Sequence, residues 1–181
     1  MRIAPKARVR RSRIKLRRHE LMNLNWGSWI LSGFIATLAL STLLSTSQGL
    51  GLTRMNVPYL LGTIITPERE KARVYGFLAH FANGWLFSFF YAYVFQVRHL
   101  ANWWFGLLLG LAHALFMLTV VSSLLPSLHP RMATEQKGPS SRRQLEPPGF
   151  LALNYGYRTP LSVFVAHAAF GAIIGALYRL A

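Results

Sequence analysis

The stretch WWFGLLLGLAHALFMLTVVSSLL, from Trp103 to Leu125, decides the fold. It carries no charged side chain and a single imidazole, His113. A helix of roughly 20 apolar residues rises far enough to cross a hydrocarbon core of ~30 Å. In lipid every backbone polar group must be satisfied within the segment, and a helix does this unaided. Trp103 and Trp104 open the stretch with rings suited to headgroup depth. Asn102 stands ready to cap the first turn.

Three other segments read the same way, so the chain is expected to hold spans at about 26–47, 74–97, 103–125 and 161–180. Trp26 and Trp29 open the first span on the side where Trp103 and Trp104 open the third. Thr66-Pro67-Glu68 is expected to cap and start the second helix, and Thr159-Pro160 the fourth. The spacing therefore predicts an all-α integral membrane four-helix bundle. A basic tail (1–24) precedes the transmembrane domain (25–181).

Composition agrees. Of 181 residues, 52% are hydrophobic and only 14% charged, against about 25% charged in soluble domains. Mean hydropathy is positive, at +0.31. Formal net charge is +15, with five acids against twenty Lys and Arg. Such apolar content excludes a disordered basic protein. Cysteine is absent, which removes disulfides, thiolate metal sites and a thiol nucleophile. The first apolar run is too long for a cleaved signal core and is expected to be retained.

Nine basic residues crowd the first twenty, among them Arg8, Arg10, Arg11, Arg13, Lys15, Arg17 and Arg18. A cluster beside a first span reads as a cytoplasmic anchor, in contact with anionic lipid headgroups. No aromatic residue is interleaved with it, which counts against nucleic acid as a partner. With the tail included, the two sides are nearly balanced, eleven basic residues against nine, and the tail, as the densest cluster and next to the first helix, is taken to set the orientation. Both termini are expected in the cytoplasm of a cell whose inner (plasma) membrane holds the protein.

Two long loops then share the opposite side. The first holds Val57 to Ile65, apolar but too short to span, and expected to lie in the interface or re-enter against protein. The other, about 126–160, is expected to be mobile in its polar middle. Its aromatic end, Phe150 to Tyr157, should pack back on the membrane surface.

The spans repeat. At an offset of 87, Phe77, Ala79, His80 and Gly84 meet Phe164, Ala166, His167 and Gly171, and Tyr91 meets Tyr178. At an offset of 77, Gly33, Leu38, Thr42 and Ser45 meet Gly110, Leu115, Thr119 and Ser122, and Arg54-Met55 meets Arg131-Met132. Two tandem hairpins in the same orientation follow, related by an axis along the membrane normal.

Small residues at helical spacing mark the faces that meet, because apolar side chains gain nothing over lipid by associating. The stripes are Gly33 with Thr37 and Ser41, Gly84 with His80 and Ser88, Gly106 with Gly110, and Gly171 with Gly175 and His167. His80, His113 and His167 thus sit on or beside the packing faces of three helices. As interhelical hydrogen-bonding groups each would contribute ~0.6–2 kcal/mol. The same residue type also ligates haem iron or a metal, or relays protons along a path. Against ligation, no span contains a carboxylate to orient an imidazole, and the chain has no Asp. Met55 and Met132 read as packing residues.

No catalytic constellation is present. The glutamates lie in the tail and loops, and there is no nucleophile elbow, P-loop or dinucleotide fingerprint. A non-enzymatic structural or accessory component of the membrane, or of a membrane complex, is therefore expected, with a membrane-protein partner or further copies of itself. The alternatives are a haem- or metal-binding electron-transfer bundle built on the three histidines, and an oligomeric small-solute or proton permease.

The run Gly51-Leu52-Thr53-Arg54-Met55-Asn56-Val57-Pro58-Tyr59-Leu60-Leu61-Gly62, the Gly76 to Tyr91 run and the His167 to Tyr178 run resemble a family of small bacterial inner-membrane proteins defined by a domain of unknown function. The resemblance covers about Gly27 to Leu180. It implies a four-helix membrane fold and assigns no activity. Family members often have Asp where this chain has Asn56, so a carboxylate role there is not carried over.

Overall fold

The computed structural model describes residues 24–134 and 137–181. The basic cluster from Arg8 to Arg18 lies outside the described residues. Five helices form: α1 (Trp26–Gly49), α2 (Val57–Ile65), α3 (Arg69–Arg98), α4 (Trp103–Leu128) and α5 (Thr159–Leu177). Among the described residues there is no strand, only an isolated bridge between Met132 and Leu145. Helices α1, α4 and α5 are long and apolar enough to cross a membrane, the mark of an integral membrane protein. Helix α3 is the longest, at 30 residues, but begins with Arg69, Glu70, Lys71 and Arg73.

Asparagine starts three of these helices. Asn25 Oδ1 accepts from Ser28 N at 3.0 Å, Asn56 Oδ1 from Tyr59 N at 2.9 Å, and Asn102 Oδ1 from Phe105 N at 2.9 Å. Each satisfies a first-turn donor that the helix cannot.

Two expected starts are corrected. Thr66 ends α2 instead of capping α3, because the residue before a proline is pushed into extended backbone; its φ is −139° and ψ 146°. The cap of α3 is Glu68, with no side-chain bond. Thr159 lies inside α5, and its hydroxyl is engaged 2.7 Å from that of Thr53. Helix α4 also runs further than expected, to Leu128, and contains a π-helical turn at Met117–Val121.

Helices α4 and α5 pack backbone against backbone. A Cβ on Gly106 would strike the Gly171 carbonyl, and one on Gly171 would strike that of Gly106. Gly110 lies in the same way on His167 and Ala168, and Gly175 on Asn102. The two backbones touch along two turns, which only glycine permits. Packing of α1 on α3 is softer. Gly33 faces the side chains of Ser88 and Trp85, and Gly84 faces Thr37. At the end of that pair Trp29 stacks on Trp85 at 5.9 Å and donates from Nε1 to Ser88 Oγ at 2.9 Å. Helix α2 folds back on the start of α3, with Gly62 on Ala72 and Gly76 on Pro58. It is held against protein along this face.

Helix α1 also packs on α5, whereas α3 and α4 splay apart after the turn that joins them. They meet through long side chains only. Phe95 reaches Phe105 at 5.8 Å between ring centres, and the Tyr91 hydroxyl comes within 3.4 Å of the Leu109 carbonyl oxygen. Outward faces carry Leu31, Phe34, Leu78, Leu86, Leu108 and Val165, all exposed.

The loop after α4 is tied down. Ala133 N donates to Leu145 O at 3.0 Å, and Leu145 N to Arg131 O at 3.1 Å. A 3-10 turn at Phe150–Tyr155 follows. Leu151 and Ala152 hold φ of 52° and 58°, a left-handed conformation costly for side chains with a Cβ. Ala152 is nonetheless buried.

Candidate functional site

The three histidines converge. His80 from α3, His113 from α4 and His167 from α5 line one cavity of about 300 Å³. This is the lower end of the range for small-molecule sites, ~300–1,000 Å³. Leu40 and Leu44 of α1 and Leu60 of α2 form part of its apolar wall, and Pro148 and Ala152 of the long loop cover another part. No Lys, Arg, Asp or Glu lines it. The strained turn at Leu151–Ala152 is thus what seats the loop on the cavity.

Each imidazole is placed differently. His167 Nδ1 donates to the Val163 carbonyl one turn back, at 2.9 Å. Its Nε2 is then the acceptor of a neutral ring. His113 Nδ1 lies 3.1 Å from the Tyr91 hydroxyl. The rings of His113 and His167 stand edge to face, 4.8 Å between centres and 85° between planes. His80 Nε2 is buried with no hydrogen-bond partner. A buried unpaired polar atom costs about 1–3 kcal/mol; Ser41 Oγ and Trp85 Nε1 are likewise buried without a partner, but of the three residues His80 alone lines the cavity.

The π-helical turn falls between His113 and Ser122. It carries Met117, Leu118 and Val121 to the cavity wall together with Ser122. Such turns insert one residue and re-aim the face that follows. Ser122 Oγ donates to Leu118 O within its own helix. That leaves His80, Asn83, His113 and His167 as the polar groups a ligand would meet.

The small residues of the stripes can be placed as well. Gly33, Gly84, Gly106, Gly110, Gly171 and Gly175 are all in helix contacts. Met132 is buried in the core, and Met55 reaches the cavity wall. Asn83, Phe87 and Tyr91 were not singled out as site residues by the pattern of the sequence. The offset of 87 places Asn83 opposite Phe170, and that polar-for-apolar exchange inside a segment expected to span was the signal.

Among the described residues no three His, Asp or Glu side chains come close enough together to hold a metal ion. An edge-to-face pair such as His113 and His167 leaves no slot between its rings for a flat macrocycle.

Outside the spans, the long loop has its own polar junction. Arg54 donates to the Asn154 carbonyl and pairs with Glu146 at 3.4 Å. The Tyr155 hydroxyl donates to the Glu146 carbonyl. Burial, and secondarily the Glu146 carboxylate, push this phenol up to about 12, with Arg54 opposing.

No family model, no curated protein and no solved structure matches the chain.

Proposed function

We propose that this chain is a non-enzymatic four-span protein of the bacterial inner membrane. It acts as an accessory component whose histidine-lined cavity holds a small, mostly apolar ligand by one hydrogen-bonding group. The single observation that carries this is the unpaired His80 Nε2, buried in a cavity shared with His113 and His167. An apolar pocket with a few convergent polar groups is the usual form of a small-molecule site. The absence of charge on the walls favours a neutral ligand over an ion.

Helix α3 is the fourth span, with its charged first turn at the headgroups. The four spans form two tandem hairpins of the family named above. Both termini are cytoplasmic, with the basic tail on anionic headgroups. The exchange of contacts between Arg54 and Arg131 supports the repeat. The close approach of α1 to α5, against the splaying of α3 from α4, is where the halves differ.

The test is gentle purification from the native membrane, with mass spectrometry of bound small molecules, elemental analysis and an absorption spectrum. A stoichiometric organic ligand that is lost in His80→Leu and His167→Leu is the expected result. A haem band or stoichiometric metal lost in the same variants would replace this function with electron transfer. A protein free of ligand in wild type and variants alike would reduce the histidines to helix contacts.

A further inference from the structure

Where α3 and α4 splay, a second hollow opens on the outer surface of the bundle. Its volume is about 240 Å³, and it is lined by Phe87, Phe90, Tyr91, Val94, Leu109 and His113. Two of these, Phe87 and His113, also line the histidine cavity. Their rings lie 4.6 Å apart between centres and form the shared wall. The outer groove is open and apolar, at the depth of the spans, where the surrounding solvent is hydrocarbon. On α3 the residues Asn83, Phe87, Phe90 and Val94 follow one another at helical spacing along the side facing α4. Asn83 is exposed and borders the cavity, while Phe90 and Val94 border the groove. An amide exposed among apolar neighbours in a span is costly unless a polar group meets it.

From this adjacency we infer that the ligand is a lipid-soluble alcohol that enters sideways from the bilayer between α3 and α4, parting the Phe87 and His113 rings that wall the cavity from the groove. Its hydroxyl lies in the cavity and its hydrocarbon tail in the outer groove. The inference rests on the cavity being a binding site. The head is a hydroxyl because the site offers opposite needs. The His167 Nε2 accepts, since its Nδ1 already donates to Val163, and the Asn83 amide both donates and accepts. A group that donates and accepts at one atom meets both and leaves a partner for His80 Nε2. A carboxylate head would face no cation on these walls. The tail is apolar because the groove presents only ring and aliphatic surface beyond the Tyr91 hydroxyl, which is engaged with His113.

The test uses the full chain in lipid nanodiscs with histidine rings labelled with ¹⁵N. The probes are 1-hexanol, short enough for the cavity alone, and 1-hexadecanol, which needs the groove. Both should shift the ring resonances of His80 and His167, and hexane should not. Leu109→Trp, which fills the groove, should weaken 1-hexadecanol at least tenfold and leave 1-hexanol within twofold. A diazirine placed near the end of the hexadecanol tail should label Phe90 or Val94. Labelling confined to α1, α2 or α5, or equal loss of both probes in Leu109→Trp, would overturn the lateral route. If 1-hexanol binds and 1-hexadecanol does not, the groove fails and the cavity stands. If neither alcohol shifts a histidine in the wild type, both fall. Should Leu109→Trp fail to fold, Val94→Trp fills the same groove from the opposite helix.

Discussion

Arg54 and Arg131 make the same contact in opposite halves of the chain. Each follows a helix long and apolar enough to span, and each ties a segment of the other half. The Arg54 guanidinium donates to the Asn154 carbonyl, in the last turn of the 3-10 segment Phe150–Tyr155. The Arg131 guanidinium donates to the Thr63 and Ile64 carbonyls, at the end of α2. Each cation therefore satisfies orphan carbonyls of a short helix in the other half, where positive charge is favoured. The contact is reciprocal, and it locks the two loops over the cavity.

Crossed protection follows. Arg54→Ala should expose the 150–157 segment to protease and leave 57–66 protected. Arg131→Ala should do the reverse. Each loss should be about 1 kcal/mol, because both guanidinium groups are partly solvated. Cleavage at the same site in both variants would show that the loops open as one unit.

The glycines of α4 and α5 predict a steep size dependence. Gly106→Leu and Gly171→Leu place side chains on facing backbone and should cost more than the ~1–3 kcal/mol typical of overpacking. Gly84→Ala meets the buried, β-branched Thr37 side chain rather than facing backbone and should cost less than either, though not nothing. Gly49→Ala meets nothing within 4 Å and should be neutral or slightly stabilising, since alanine is the better helix former. The ranking can be read from unfolding in mixed micelles.

The loop junction predicts an alkaline limit. Tyr155 is held above its ordinary value of 10.0, at about 12. The folded loop therefore keeps the phenol proton more tightly than the open chain does. Its stabilising contribution is fully present below pH 10 and is lost as pH rises toward 12. Hydrogen exchange of the 146–156 backbone should accelerate across that window. In Tyr155→Phe the acceleration from this cause should vanish.

Much of this was legible because lipid is a demanding solvent. A charge-free run such as Trp103 to Leu125 has few alternatives to a helix. Glycines at i, i+4 on that run point to a close partner, and the partner is α5. The convergence of His80, His113 and His167 was foreshadowed by their similar depths, but depth does not fix azimuth. Three features had no local signature. The π-helical turn at Met117–Val121 reflects packing around the cavity, since nothing in that run breaks an α-helix. The splaying of α3 from α4 depends on Phe87 and Tyr91 standing where the other pairs have glycine or threonine. The return of Pro148 and Ala152 over the cavity depends on a left-handed turn at Leu151–Ala152, two residues that do not announce one. The cap positions moved for a local reason, the effect of Pro67 on Thr66.

His80 gives the sharpest separation of stability from function. Its Nε2 is buried without a partner, so His80→Leu removes a cost of about 1–3 kcal/mol and should raise the unfolding midpoint of the ligand-free protein. A group kept at such a cost is kept for use. The same substitution should abolish the ligand-induced stabilisation seen in the wild type, because the polar anchor is gone. His167→Leu differs: it frees the Val163 carbonyl, which its own helix still satisfies, and should leave the midpoint within about 1 kcal/mol while also weakening the ligand. A His80→Leu protein that is less stable than wild type without ligand would show that the ring's packing outweighs its unpaired nitrogen.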